Sequence, residues 1–143
     1  MPTTYTNSFG HPYLHLQWEE ANDWIYARWQ GLLSTDNVIK GGEYLLEVMQ
    51  QTGCPYVLND NREITGSWNQ ANDHIAQYWM PRALTLGLRR FAHVLAPGVF
   101  GQTSAEEMQR RAADQFQMAL FPDLESAQAW LREARHPPAS KEG

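Results

Sequence analysis

The chain of 143 residues contains a single cysteine, Cys54. One thiol closes no internal disulfide, so the sequence reads as that of a cytoplasmic protein in a reducing compartment. Cys54 falls between an expected helix and an expected strand, where a small apolar residue suffices. Cations are scarce too: Lys and Arg number 11 against 16 Asp and Glu, for a net charge of −5. Only Arg89-Arg90 and Arg110-Arg111 adjoin one another. Such a surface repels phosphate backbones and anionic headgroups, so neither nucleic-acid binding nor membrane attachment is expected. No apolar run approaches membrane length, so no membrane span is expected, and no basic-then-apolar leader is read at the N-terminus.

The spacings that carry common chemistries are also missing. The five histidines include one His-x-x-x-His spacing, His11 and His15, but it spans Pro12 and runs into an alternating strand rather than a helix, and there is no Cys-x-x-Cys, so no metal is expected. His93 alternates with Phe91 and Leu95 and reads as a hydrogen-bonded core histidine. There is no Gly-x-Ser-x-Gly elbow and no glycine-rich phosphate loop. Glu19-Glu20 falls in a turn and Glu106-Glu107 at a helix start, which explains both acidic pairs. No catalytic residue and no cofactor are therefore expected.

What the chain does have is apolar mass, at 43% of residues with six tryptophans. A domain of this size buries roughly 70% of its unfolded surface. The expected organisation is a loosely ordered segment over 1–12, one domain over 13–135 and a disordered tail over 136–143. Tyr13 to Trp18 and Trp24 to Trp29 alternate apolar and polar residues around a polar turn, which predicts an antiparallel hairpin. Ser34 caps a helix that Gly53 ends and Pro55 cannot continue. Tyr56 to Asn59 is a short buried strand. Ser67 to Gln70 forms a capping box for a second helix, which Pro81 must kink or restart near Met80. A strand over Phe91 to Leu95, a helix capped at Ser104, a strand over Phe116 to Phe121 and a helix capped at Asp123 complete the chain. The predicted fold is α/β: one layered domain, a mixed sheet of about five strands with an N-terminal antiparallel hairpin, and about four helices.

Four segments, Trp24 to Gly31, Val57 to Arg62, Gly66 to Trp68 and Trp79 to Arg82, carry a resemblance to the STAS fold of anti-sigma-factor antagonists and sulphate-transporter tails. The chain looks most like small uncharacterised bacterial proteins described as STAS/SEC14-like, over roughly Tyr13 to Leu131. The resemblance implies a non-catalytic regulatory or protein-interaction module. Its protein partner is unknown, and a homodimer is among the assemblies left open. Antagonists of this kind carry a phosphorylatable serine at a helix N-terminus, and Ser67 occupies the comparable place. Its aspartate-serine-small-glycine context is absent here, a longer loop precedes it and Trp68 follows, so capping accounts for Ser67.

The candidate site is Asn59, Asp60, Asn61 and Arg62, expected just past the carboxyl end of a parallel strand, where ligands of open α/β sheets bind. Arg62 could hold a carboxylate or phosphate through paired hydrogen bonds, or could simply pair with Asp60. Trp68, expected to be partly exposed beside Arg62, and Trp79 would supply an apolar wall. The alternative function is thus a small-ligand binder, for a lipid or an anionic metabolite, with Arg62 and the neighbouring tryptophans lining the site.

Overall fold

A computed structural model describes residues 2–113 and 115–135. Three strands, β1 (Thr3–Thr6), β2 (Pro12–Glu19) and β3 (Trp24–Leu32), form an antiparallel meander. Leu14 stands opposite Trp29, Leu16 opposite Ala27 and Trp18 opposite Ile25, so the apolar members of the predicted hairpin share one face. The turn between them holds Asp23 at φ 60°, a left-handed position that a short polar side chain tolerates. Its backbone N–H returns to the Glu19 carbonyl at 2.9 Å.

The first strand is a departure from expectation. It lies in the segment 1–12 read as loosely ordered, pairs with β2, and stacks Tyr5 on Tyr44 with ring centroids 3.9 Å apart. The sheet therefore has six strands rather than five. Four residues with three threonines carry too weak an alternation to announce a strand.

Helix α1 (Thr35–Thr52) begins where Ser34 Oγ accepts the Asn37 N–H at 3.0 Å and ends at Gly53, φ 69°, as the sequence predicts. Strand β4 (Tyr56–Thr65) follows. The next helical run is built from four successive pieces: a 3₁₀ turn (Asn69–Ala71), α2 (Asn72–His74), a π-helical turn (Ile75–Trp79) and α3 (Met80–Thr85). Pro81 explains the irregularity. It has no N–H to donate, and the widened turn lets Met80 N–H reach back to the Ile75 carbonyl before the helix resumes. Strand β5 (Arg90–Val94), helix α4 (Val99–Ala112), strand β6 (Gln117–Phe121) and helix α5 (Leu124–Arg135) complete the fold. Asp123 accepts the Ser126 N–H at 2.7 Å, as expected of a cap. The tail over 136–143 lies outside the described residues.

In space the strands run β1-β2-β3-β4-β5-β6, with β3 to β6 parallel. Successive right-handed crossovers that advance in one direction place their helices on the same face. Gly41 of α1 accordingly lies against Trp29 and Leu14, and Trp79 lies edge-on to Phe91 at 5.7 Å. Helix α5 covers the opposite face, where Arg90 donates to the Trp130 carbonyl at 3.0 Å. It packs over β4, β5 and β6, and among the described residues no helix packs over that side of β2 and most of β3. Cys54 is buried, and burial pushes its thiol up to about 11, so it is a poor nucleophile. No helix among the described residues is long and apolar enough to cross a membrane.

Candidate functional site

Strand β4 has 10 residues and runs on to Thr65, well past the Asn59 at which the sequence suggests it ends. Asn59 to Arg62 lie in its interior rather than beyond its end. The residue types hide this, because Asn and Asp are poor strand formers. Neighbouring strands on both sides override that preference by pairing with β4. A bulge sits within the segment: Arg28 stands opposite Asp60, but Gln30 stands opposite Glu63, so Asn61 and Arg62 together oppose Trp29. The extra residue resets the alternation. Asn59, Asn61 and Ile64 all face the helix-covered side, while Asp60 and Glu63 face the other.

On the helix-covered side, Asn59 and Asn61 meet His93, which stands directly across from Asn59 on β5. Trp29 Nε1 donates to Asn59 Oδ1 at 2.8 Å, Asn59 Nδ2 contacts His93 Nδ1 at 3.1 Å, and the Asn61 amide contacts His93 Nε2 at 3.3 Å. All three polar residues are buried. Burial pushes the His93 imidazole down to about 4, so the ring is neutral at pH 7. A neutral imidazole has one acceptor nitrogen and one N–H. The Trp29 bond fixes Asn59 with its amide nitrogen toward Nδ1, so Nδ1 accepts and the proton sits on Nε2. The Asn61 group facing Nε2 must then be its carbonyl, which turns the 3.4 Å contact between the two asparagines into one between two amide nitrogens.

Beside this cluster is a cavity of about 60 Å³. Its walls are Trp29, Leu45, Ile64, Trp68, Trp79 and Phe91, with Asn59 and Asn61 at the polar end. Val38, Ile39, Gly42 and His74 are the only half-buried residues of the lining and so mark its rim. The volume accommodates on the order of four water-sized groups. Trp79 is held in the wall by donating its indole N–H to the Gly42 carbonyl at 3.0 Å. Trp68 is only 6% exposed and lies 5.9 Å from the His93 ring. Its indole N–H is buried and has no hydrogen-bond partner among the described residues. Buried N–H groups are nearly always paired, so this one marks a place where something polar fits.

No protein-family model matches this chain, and no curated protein matches it. The residues themselves have to carry the functional argument.

Of the six residues expected to form one site, the structure brings four together and separates two. Asn59, Asn61, Trp68 and Trp79 line the cavity. Asp60 and Arg62 point to the other side of the sheet. Arg62 donates through Nε and Nη2 to the two Asp60 oxygens at 2.9 and 2.8 Å, and its backbone N–H adds a third bond at 3.1 Å. Tyr26 donates its hydroxyl to the same carboxylate at 2.6 Å. Burial alone would raise the Asp60 carboxyl, but these donors bind its charged form and hold it below its usual range. The guanidinium fork is thus occupied by Asp60, the pairing the sequence offered beside anion binding. It is not beside Trp68.

Three further expectations are corrected. Trp68 is buried, not partly exposed, because the chain turns inward at the start of the 3₁₀ turn. Ser67 does not complete a capping box. Its hydroxyl accepts the Asn69 N–H at 3.1 Å and meets Ser104 Oγ at 3.0 Å. Ser104 is itself no cap, since α4 begins at Val99 and Ser104 lies buried within it. Sequence reasoning missed Trp29 as part of the site and placed His93 only in the core. The signal was the parallel register, which sets Asn59 beside His93 once both strands are drawn. Among the described residues no three metal-ligating side chains converge.

Proposed function

We propose that this protein binds a small molecule in the cavity between the sheet, helices α1, α2 and α4 and the π-helical turn, with Asn59 and Asn61 at the polar end and Trp68 in the wall. The observation that supports this reading is Trp68, a residue of the wall of a largely apolar cavity whose buried indole N–H has no partner among the described residues. Binding sites for small molecules combine an apolar lining with a few placed polar groups, and this cavity has that composition. The π-helical turn fits the same reading. Such turns recur at functional sites, and this one contributes Ile75 and Trp79 to the wall. The proposal assigns no reaction and no cofactor.

A thermal-shift screen of small uncharged molecules tests it. A saturable rise in Tm that Asn61→Leu abolishes and Arg62→Ala leaves intact supports the cavity as the site. If no compound shifts Tm, or Arg62→Ala removes the effect, the cavity is not the site.

A second reading is a STAS-like regulatory module that binds a protein, as a homodimer or with another chain in the cytoplasm. What favours it is the face of β2 and β3 over which no helix packs among the described residues, where Arg28 and Glu63 form a 2.6 Å ion pair next to Tyr26 and Asp60. Phosphorylation of Ser67 belongs to this reading.

A further inference from the structure

The cavity has a chemical polarity that selects among small molecules. Its lining carries no acidic, Lys or Arg side chain. Asp60 and Arg62, on the other side of β4, neutralise each other. A carboxylate or an ammonium entering here would shed its water and find no counter-charge.

The polar end is also one-sided. With the Asn61 carbonyl turned to His93 Nε2, as the tautomer requires, the wiring runs from Trp29 N–H to the Asn59 carbonyl, from the Asn59 amide to His93 Nδ1, and from His93 Nε2–H to that carbonyl. Every side-chain acceptor in that relay is engaged. What remains is donors: the Asn61 amide hydrogens and the Trp68 N–H. The other buried polar atom without a partner, Asn72 Oδ1, lies outside the cavity lining.

We infer that the molecule held in this cavity is uncharged and mostly apolar, and carries an acceptor oxygen of the carbonyl type that receives the Trp68 N–H. The inference rests on the cavity being the binding site proposed above. A ketone, ester or amide oxygen has two lone pairs and matches a pair of donors. An alcohol satisfies them less well, because its own O–H finds no free acceptor. A hydrocarbon fills the space and leaves both donors unpaired.

The test uses the protein and compounds of about four heavy atoms, the size this cavity admits: acetone, propan-2-ol, 2-methylpropane, acetate and isopropylammonium. Affinity is read by titration, and the Trp68 indole resonance is followed by ¹H–¹⁵N NMR. Acetone is expected to bind about tenfold tighter than 2-methylpropane, the worth of roughly one net hydrogen bond. It should also move the Trp68 indole proton downfield, as a hydrogen bond does and the hydrocarbon does not. In Trp68→Phe the ratio of the ketone's affinity to the hydrocarbon's should fall toward one, however the enlarged cavity changes each. The NMR measurement on the unaltered protein stands even if that variant fails to fold. Equal binding of ketone and hydrocarbon, or tightest binding of either ion, overturns the inference but leaves a small-molecule site in place. Binding of none of the five to folded protein overturns both.

Discussion

Trp29 donates its indole N–H to Asn59 Oδ1 across 2.8 Å, and this bond sets the direction of every hydrogen bond around His93. Were Asn59 turned the other way, two donors would face each other at that distance. The ring of a core tryptophan therefore determines which nitrogen of a histidine on another strand carries the proton.

Asn59→Ala tests that control. It leaves the Trp29 N–H and His93 Nδ1 buried without partners and opens a small void. A loss of about 2–4 kcal/mol is expected in urea unfolding. The His93 resonances should also lose the signature of a single Nε2–H tautomer. An unchanged tautomer would show that something other than Asn59 fixes the ring.

The neutral state of His93 gives the fold a specific pH dependence. Its pKa is about 4 when folded, against an ordinary value of about 6.5 in the open chain. Between those values the unfolded state binds the extra proton, so folding stability falls as pH falls through that window. The contribution is fully present above pH 6.5 and amounts to about 3 kcal/mol lost by pH 4. His93→Gln should flatten the slope between pH 6.5 and 4 while lowering stability at pH 7. An unaltered slope in that variant would assign the dependence to other groups.

Arg62→Ala separates the two sides of the sheet. Asp60 has a side chain 2% exposed, whereas Arg62 is 47% exposed, so solvent already screens part of the pairing. The expected loss at pH 7 is about 1–2 kcal/mol. Because the folded Asp60 carboxyl is held low, the deficit should shrink once pH falls through its folded pKa. The Asp60 carboxyl should titrate at higher pH in the variant, as followed by carboxyl-carbon NMR. A carboxyl that does not move would mean that Tyr26 alone holds its charge.

Gly41→Ala should destabilise, although alanine ordinarily favours a helix interior. A Cβ built at Gly41 meets Trp29 Cη2, lies 2.6 Å from Trp29 Cζ3 and 3.0 Å from Leu14 Cδ2. Trp29 cannot swing away without breaking its bond to Asn59. A loss of about 1–3 kcal/mol by thermal or urea unfolding is expected. A gain in stability would show that the ring yields easily.

Much of the architecture was readable from the letters because local signals agreed with the fold. The alternation of Leu14, Leu16 and Trp18, the Ser34 cap, the left-handed Gly53 and the Asp123 cap each name an element boundary without knowledge of the rest. The α/β class with helices between parallel strands followed from their order. The site was readable only in part. Asn59 and Asn61 drew attention as a polar interruption, but their partner His93 lies 34 residues from Asn59 and enters through register. Alternation alone turns Asp60 and Arg62 away from them once the segment is a strand, but the bulge that returns Ile64 to the cavity side has no local signature, since nothing in Asn-Asp-Asn-Arg marks one residue as surplus. Ser104 shows the opposite failure. A capping pattern was present, but α4 had already started at Val99.

Strand β4 is flanked by partners along Val57 to Asp60, whereas β1 and β6 each have a neighbour on one side only. Local opening therefore has a built-in sequence. Amide deuterium uptake should begin at β1, proceed at β6, and reach the backbone of Val57 to Asp60 only through global unfolding. A molecule bound as proposed would come and go by small movements of the helices, while the ribbon beneath the cavity stays shut.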